Sequence, residues 1–133
     1  MQYQTLEEQL NVTIEILKQN VELMNILDFI DSLYLLNYYI AAGSVFQTIW
    51  NYLDRKPLSY GIKDIDVIYY NKDDLSIETD IKYFDLINKF CISNGYNYKI
   101  DVSNEARMQY GKKKCFIWML SNISIRRMQL IIG

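Results

Sequence analysis

The sequence contains no histidine, a single proline, two cysteines and no long uninterrupted apolar run. Each absence narrows what the chain can be. Without histidine there is no imidazole general acid or base, no Ser-His-Asp triad and no histidine metal ligand. If the protein is an enzyme, its chemical groups are most simply carboxylates. Cys91 and Cys115 are widely separated and form neither a metal-binding spacing nor a disulfide framework. Cys91 falls in an apolar helical pattern and is expected in the core. No apolar stretch approaches the roughly 18–20 residues that span a bilayer. Acids rather than Lys or Arg follow Met1, so no signal-peptide pattern is visible. The expectation is a cytoplasmic, reduced protein without a membrane partner.

Acidic residues are missing from one region only. Residues 1–105 hold all 16 acids and eight of the 14 Lys+Arg, a balance of −8, whereas residues 106–133 hold the other six basic residues and no acid, a balance of +6. The net charge of −2 gives no argument for a nucleic-acid partner. The basic end, with Lys112 to Lys114, Arg126 and Arg127, admits contact with RNA or phosphate, against the simpler reading of a solvated tail. What the chain does have is apolar residues, half of its 133 positions, enough for the core of one domain over 1–133.

Periodicity divides the chain into a helical lead-in (1–36), a core (37–108) and a C-terminal end (109–133). Thr5-Leu6-Glu7-Glu8 is a capping-box pattern that starts a helix with Leu6, Leu10, Ile14 and Leu17 on its apolar face. A second helix carries Leu23, Ile26 or Leu27, Ile30 and Tyr34, with Asp28 and Asp31 on its solvated side. Tyr38 to Ala42 reads as a short strand. Gly43 punctuates it, and Ser44 is placed to cap a helix whose apolar face is Val45, Ile49, Trp50 and Leu53. Asp64 to Tyr70 is a second strand. Ser76 can cap a helix over about Ile77 to Ser93, with Ile81, Phe84, Leu86, Ile87 and Phe90 inward. Tyr98 to Ser103 alternates apolar and polar residues, the pattern of a half-buried strand. The predicted class is α+β (α/β), a small mixed sheet with flanking helices.

Two carboxylates stand at the entrance of the second strand. Asp64 and Asp66 are two residues apart and so project from the same face, about 6.6 Å apart along the chain. Like charges so placed are tolerated when solvated or when a cation lies between them. A hard ion such as Mg²⁺ takes oxygen ligands, often one or two carboxylates plus substrate phosphates. Asp101 lies on the polar side of the later strand, and would join the pair if the two strands are neighbours. Three such acids can hold two metal ions for in-line phosphoryl transfer. Gly43 and Ser44 supply the complementary part, since a helix N-terminus offers free N–H groups to an anion. Taken singly, each feature has a plain alternative: a D-x-D at a loop, an ordinary helix cap, a solvated strand face. The order strand, Gly-Ser, helix, D-x-D strand, helix, acid-bearing strand is more specific.

That order resembles the DNA polymerase β-like nucleotidyltransferase superfamily, and within it a family of bacterial nucleotidyltransferase-like proteins. The residues that carry the resemblance are "AAGSVFQTIWNYL", "GIKDIDVIYYNKDDLS" and "IDVSNEARM", spanning about Tyr38 to Met108. It implies that Gly43 and Ser44 form a phosphate-binding turn and that Asp64, Asp66 and Asp101 hold Mg²⁺ (or Mn²⁺) and are catalytic, with Asp101 helping to activate the attacking hydroxyl. The implied reaction moves NMP from an NTP to an acceptor hydroxyl that the sequence does not identify, releasing pyrophosphate. Arg107 matches the third block. It reads as a bidentate phosphate ligand or, equally, as the partner of a nearby carboxylate. Asp73 and Asp74 read as turn and first-turn residues, and Trp50 as core. After Met108 the sequence departs from the family: Gln109 stands where members commonly have histidine, and residues 109–133 are divergent, as either a truncation or a natural change of reading frame would leave them. Phe116, Trp118, Leu120 and Ile131 would then form a substitute strand or an apolar patch. The divergence keeps an alternative open, a catalytically degenerate nucleotide-binding or protein-interaction module.

Overall fold

A computed structural model describes residues 5–35 and 37–107. The expectations for residues 109–133, including the basic cluster and the substitute strand, lie outside the described residues. Four helices and three strands follow in the order α1 (Leu6–Lys18), α2 (Val21–Ser32), β1 (Tyr38–Ile40), α3 (Ala42–Leu53), β2 (Asp64–Tyr69), α4 (Ile77–Ser93) and β3 (Lys99–Asn104), with a closing 3₁₀ turn at Glu105–Arg107. The α+β class and the small mixed sheet are as expected.

The capping box forms as the sequence predicts. Thr5 Oγ1 accepts from the Glu8 N–H at 3.1 Å, and Glu8 Oε2 accepts from the Thr5 N–H at 3.0 Å, so two donors at the start of α1 are satisfied reciprocally. Packing starts one turn later than predicted: Leu10 is partly buried and Ile14 and Leu17 are buried, but Leu6 is 72% exposed. Tyr34 is likewise outside the core, 86% exposed with φ 55°. Helix α2 ends at Ser32, so the helical period that placed Tyr34 inward no longer applies there.

The sheet order is β1-β2-β3. Strand β1 runs antiparallel to β2, pairing Tyr38 with Tyr69 and Ile40 with Val67. Strand β3 runs parallel to β2, pairing Asp64 with Lys99, Asp66 with Asp101 and Tyr69 with Asn104. A parallel pair needs a long crossover, and α4 supplies it. Side-chain alternation then sorts the sheet. Ile65, Val67 and Tyr69 of β2, with Ile100 and Val102 of β3, join one apolar core with α1, α2 and α4 residues, Ile87 and the expected Cys91 among them. Asp64 and Asp66 fall on the other face.

Helix α3 follows its predicted apolar face only in part: Val45 is buried and Ile49 packs against the core. Trp50 and Leu53, predicted inward, are 57% and 66% exposed. The buried positions besides Val45 are polar: Ser44, Thr48 and Asn51. Thr48 Oγ1 donates to the Ser44 carbonyl at 2.8 Å and accepts from Asn20 Nδ2 at 3.1 Å. Asn51 Nδ2 donates to the carbonyls of Leu58 and Tyr60 at 2.8 and 2.7 Å, while Asn51 Oδ1 accepts from Gln47. Buried polar groups are tolerated when hydrogen-bonded, and these bonds outweigh apolar pattern in setting the inner face. They also hold the loop after α3, which turns at Gly61 with φ 75° into β2.

The far end of the sheet is closed by polar bonds as well. The buried carboxylate of Asp80 accepts from the Tyr69 hydroxyl and from the Arg107 guanidinium, which also donates to the Ser76 carbonyl at 3.2 Å. Burial, then the bond to Asp80, pushes the Tyr69 phenol well above its usual range and keeps it protonated. Asn104 holds the 71–74 turn through the Asn71 N–H and the Asn71 and Asp74 carbonyls. Ser76 caps α4 by position, yet its hydroxyl donates to Asp74 rather than capping the helix. With the Thr79 hydroxyl it holds the Asp74 carboxyl down at about 2. Asp73 and Asp74 lie in the turn before α4, as predicted for a turn, but neither belongs to the first helical turn, which begins at Ile77.

Replacing Arg107 by Met leaves the buried Asp80 carboxylate without its cation. We expect a loss of roughly 2–4 kcal/mol in urea unfolding, somewhat below a fully enclosed pair because Arg107 keeps some exposure. The double variant with Asp80→Asn should recover part of it. A change within about 0.5 kcal/mol would show the pair to be solvent-screened.

Candidate active site

Strand direction brings the candidate groups to one end of the sheet. Because β1 is antiparallel to β2, the end of β1 lies beside the start of β2. The Ala41 N–H donates to the Asp66 carbonyl at 2.9 Å, and α3 starts at the next residue. This corrects the predicted helix start. Strand β1 stops at Ile40 rather than Ala42, and Gly43 and Ser44 are first-turn residues, not a punctuating turn and a cap. The cap position is Ala41, which has no side-chain bond to give. The first N–H groups of a helix have no intrahelical partner, so α3 begins uncapped beside Asp66.

Around this junction lies a cleft of about 270 Å³ lined by Ala41, Gly43, Ser44, Gln47, Gly61, Ile62, Lys63, Asp64 and Asp66. A side-chain carbon placed on Gly43 would meet nothing within 4 Å. The helical backbone does not need glycine there; its absence of a side chain leaves the cleft open. Ser44 is 4% exposed, and its hydroxyl oxygen is buried without a hydrogen-bond partner. Such groups are uncommon and call for a physical reason.

Asp66 stands directly beside Asp101 in the parallel register, with Asp64 two residues earlier on the same face. The conditional expectation that Asp101 would join the pair is met by the topology. Burial, then the charges of Asp101 and Asp64, raise the Asp66 carboxyl above its usual range, while Lys99 opposes the shift. The protein thus holds three acids where they repel one another. Among the described residues they do not converge into a ready-made cage of three metal ligands. A divalent ion fits them nonetheless. Mg²⁺ keeps several waters and needs only one or two carboxylates plus phosphate oxygens.

Arg107 lies elsewhere. Of the two readings the sequence left open, its position matches the carboxylate partner. It sits on Asp80 at the opposite end of β2 and does not line the cleft. A larger cleft of about 610 Å³ lies at that end, lined by Tyr34, Tyr70, Lys72, Lys82 and Tyr83 among others. It includes Asp73 and Asp74, but Asp74 is already engaged by Ser76 and Thr79. The smaller cleft carries the concentrated chemistry. Sequence reasoning did not single out Lys63, Lys99 or Asp80 for the positions they occupy. The alternation of β3 already put Lys99 on the side of Asp101, a signal that was there to be used.

The chain matches the family model described as Nucleotidyltransferase over residues 28–123, more than half its length. No curated protein matches it. Among solved structures it is similar to one titled "The NMR structure of the protein reveals a CCA-adding enzyme head domain", at 30% identity and a TM-score of 0.56, over 73% of this chain and 48% of that one. The chain thus spans about half the length of that structure. Fold, acid placement and family match converge: the chain belongs to the nucleotidyltransferase family.

Proposed function

We propose that the protein transfers NMP from an NTP to an acceptor hydroxyl with release of pyrophosphate, using Mg²⁺ or Mn²⁺ held by Asp64, Asp66 and Asp101. The observation that carries this is the Ser44 hydroxyl, buried and unpartnered at an uncapped helix start beside two like-charged acids. Ser44 Oγ and the first N–H groups of α3 can donate to phosphate oxygens, with the helix dipole favouring their charge. Gly43 leaves room for the backbone to approach them. The divalent ion, when bound, supplies Lewis acidity and neutralises phosphate charge. Asp101, beside Asp66 in register, is the candidate to receive the proton of the attacking hydroxyl. Catalysis of this kind is mainly positioning and electrostatic stabilisation. The likeness to a domain titled as part of a CCA-adding enzyme makes a nucleic-acid hydroxyl the first acceptor to test.

The direct test is calorimetric titration of a non-hydrolysable NTP analogue with and without Mg²⁺, followed by a pyrophosphate-release assay with RNA ends as acceptors. Binding that requires the metal supports the reading. Absence of nucleotide binding by the folded protein would end it, and binding without turnover would favour the degenerate alternative.

Asp66 gives a sharper outcome, because its raised pKa has a definite sign. The folded state holds the Asp66 proton more tightly than the unfolded chain does, so its contribution favours folding at acid pH and is lost as pH rises through the folded value. At neutral pH and without metal, Asp66→Asn should therefore stabilise the fold slightly, by up to about 1 kcal/mol after solvent screening. The same variant should lose metal-dependent nucleotide binding and at least ~100-fold in turnover. A drop in thermal midpoint together with the activity loss would instead make Asp66 structural. In the wild type, divalent-ion affinity should start to fall at a higher pH than an ordinary aspartate would produce.

Gly43→Ala separates room from backbone conformation. The helix should fold at least as well, gaining up to about 1 kcal/mol from helix propensity, while analogue affinity drops about tenfold or more because the new methyl group enters the phosphate approach. Unchanged affinity would mean that nothing binds close to Gly43.

A further inference from the structure

Strands β2 and β3 turn Asp64, Asp66, Ile68, Lys99, Asp101 and Ser103 to the face opposite the core. Lys99 is the one cation among these positions. It pairs in register with Asp64 and lies two residues before Asp101 on the same side of β3. Neighbouring strands are about 4.8 Å apart and alternate residues about 6.6 Å apart along a strand, so its charge acts on this acid face through space; it opposes the upward shift of the Asp66 carboxyl. Lys99 is exposed, and its place in the ladder is set by its backbone, whose N–H donates to the Lys63 carbonyl at 2.8 Å. Among the described residues its ammonium group makes no ion pair.

We infer that Lys99 is a resident cation of the acid face that competes with a divalent ion and sets how tightly that ion is held. The inference rests on the reading of this face as a divalent-ion site. One ammonium among three carboxylates leaves two negative charges unbalanced, the charge that a single divalent ion neutralises. Removing the ammonium leaves three, and the face attracts metal more strongly. Lys99 thus offsets part of the repulsion among the acids and lowers the affinity of the face for free metal, so that metal binding depends on the phosphates that a nucleotide brings. Lys63, at the rim of the cleft, lies outside the strand register and does not share this position.

The test is Mn²⁺ alone, titrated calorimetrically and by electron paramagnetic resonance into the full chain at fixed ionic strength. The proteins are wild type, Lys99→Met, Lys99→Arg and Lys89→Met, the last removing an exposed lysine from α4 as a control for net charge. Lys99→Met should bind Mn²⁺ roughly three- to tenfold more tightly, as expected for removing one like charge at this range. Lys99→Arg, which keeps the charge, and Lys89→Met should match wild type. Equal affinity in Lys99→Met and wild type, or the same gain in Lys89→Met, overturns the inference while leaving the metal site standing. Weaker nucleotide binding by Lys99→Met with unchanged Mn²⁺ affinity also overturns it, since Lys99 would then be a phosphate ligand. No Mn²⁺ binding by folded wild type removes both the inference and the proposed site. Lys99→Gln is the second variant if the exposed methionine causes association.

Discussion

One main-chain hydrogen bond, from the Ala41 N–H to the Asp66 carbonyl, fixes the relation on which the site depends. It extends the antiparallel pairing of β1 and β2 one residue past the end of β1. The residue after it is already helical. The positive end of the α3 dipole is therefore delivered beside Asp66 by backbone geometry, and no side chain has to be placed to achieve it. A helix that began a turn later, as a Ser44 cap would dictate, would bring its N–H groups to a different place relative to the acids. The missing cap belongs to the same arrangement. A serine or aspartate at Ala41 would satisfy donors that a phosphate can use.

That relation needs a rigid frame, and α3 obtains one in an unusual way. Its inner face is built from Ser44, Thr48 and Asn51 as well as Val45. Asn20 on the α1–α2 connection reaches Thr48, and Ser59 in the following loop donates to the same Asn20. Asn51 fastens two carbonyls of that loop just before Gly61 and Asp64. The polar network thus links the lead-in helices, α3 and the strand that carries the acids. An apolar face would have packed equally well, but it would have left the loop carbonyls unpaired and the entry to β2 loose. The "QTIWN" segment reads as a structural device for the site, with Gln47 bracing Asn51 from the cleft side.

These two features mark the boundary of what could be read in the sequence. The period-2 logic that put Asp64 and Asp66 on one face, the alternation over Tyr98 to Ser103 and the Thr5–Glu8 capping box are local rules, and all three hold in the structure, the alternating strand forming one residue later, at Lys99–Asn104. The pairing of Asp66 with Asp101 was legible only as a condition, because strand order is not a local property. Helix α3 departs from its sequence pattern at its start and over part of its face. Its start is set by a strand pairing rather than by its best capping residue; Val45 and Ile49 pack as the period places them, but Trp50 and Leu53 do not, and hydrogen-bonded Thr48 and Asn51 complete the inner face. Arg107 was ambiguous because Asp80 lies 27 positions earlier and meets it only through the β2–α4–β3 crossover.

The two ends of the sheet solve the problem of charge in opposite ways. At the far end Asp80 is buried, and the protein meets its full cost internally with the Arg107 guanidinium and the Tyr69 hydroxyl. The Asp80 carboxylate is thereby satisfied within the protein, and the assembly acts as a clasp on the ends of β2 and β3. At the near end, among the described residues, Asp64, Asp66 and Asp101 crowd one face of the two strands with Lys99 the one cation in their register, Asp66 is driven above its ordinary pKa, and the Ser44 hydroxyl is left unpaired. A protein able to build the first arrangement could have built it twice. Under the proposed function the second is stability withheld, free energy that a cation and phosphate oxygens would release by completing the same bonds. This difference between the ends, satisfied against unsatisfied, is why the proposal rests on the smaller cleft rather than on the larger one at the clasped end.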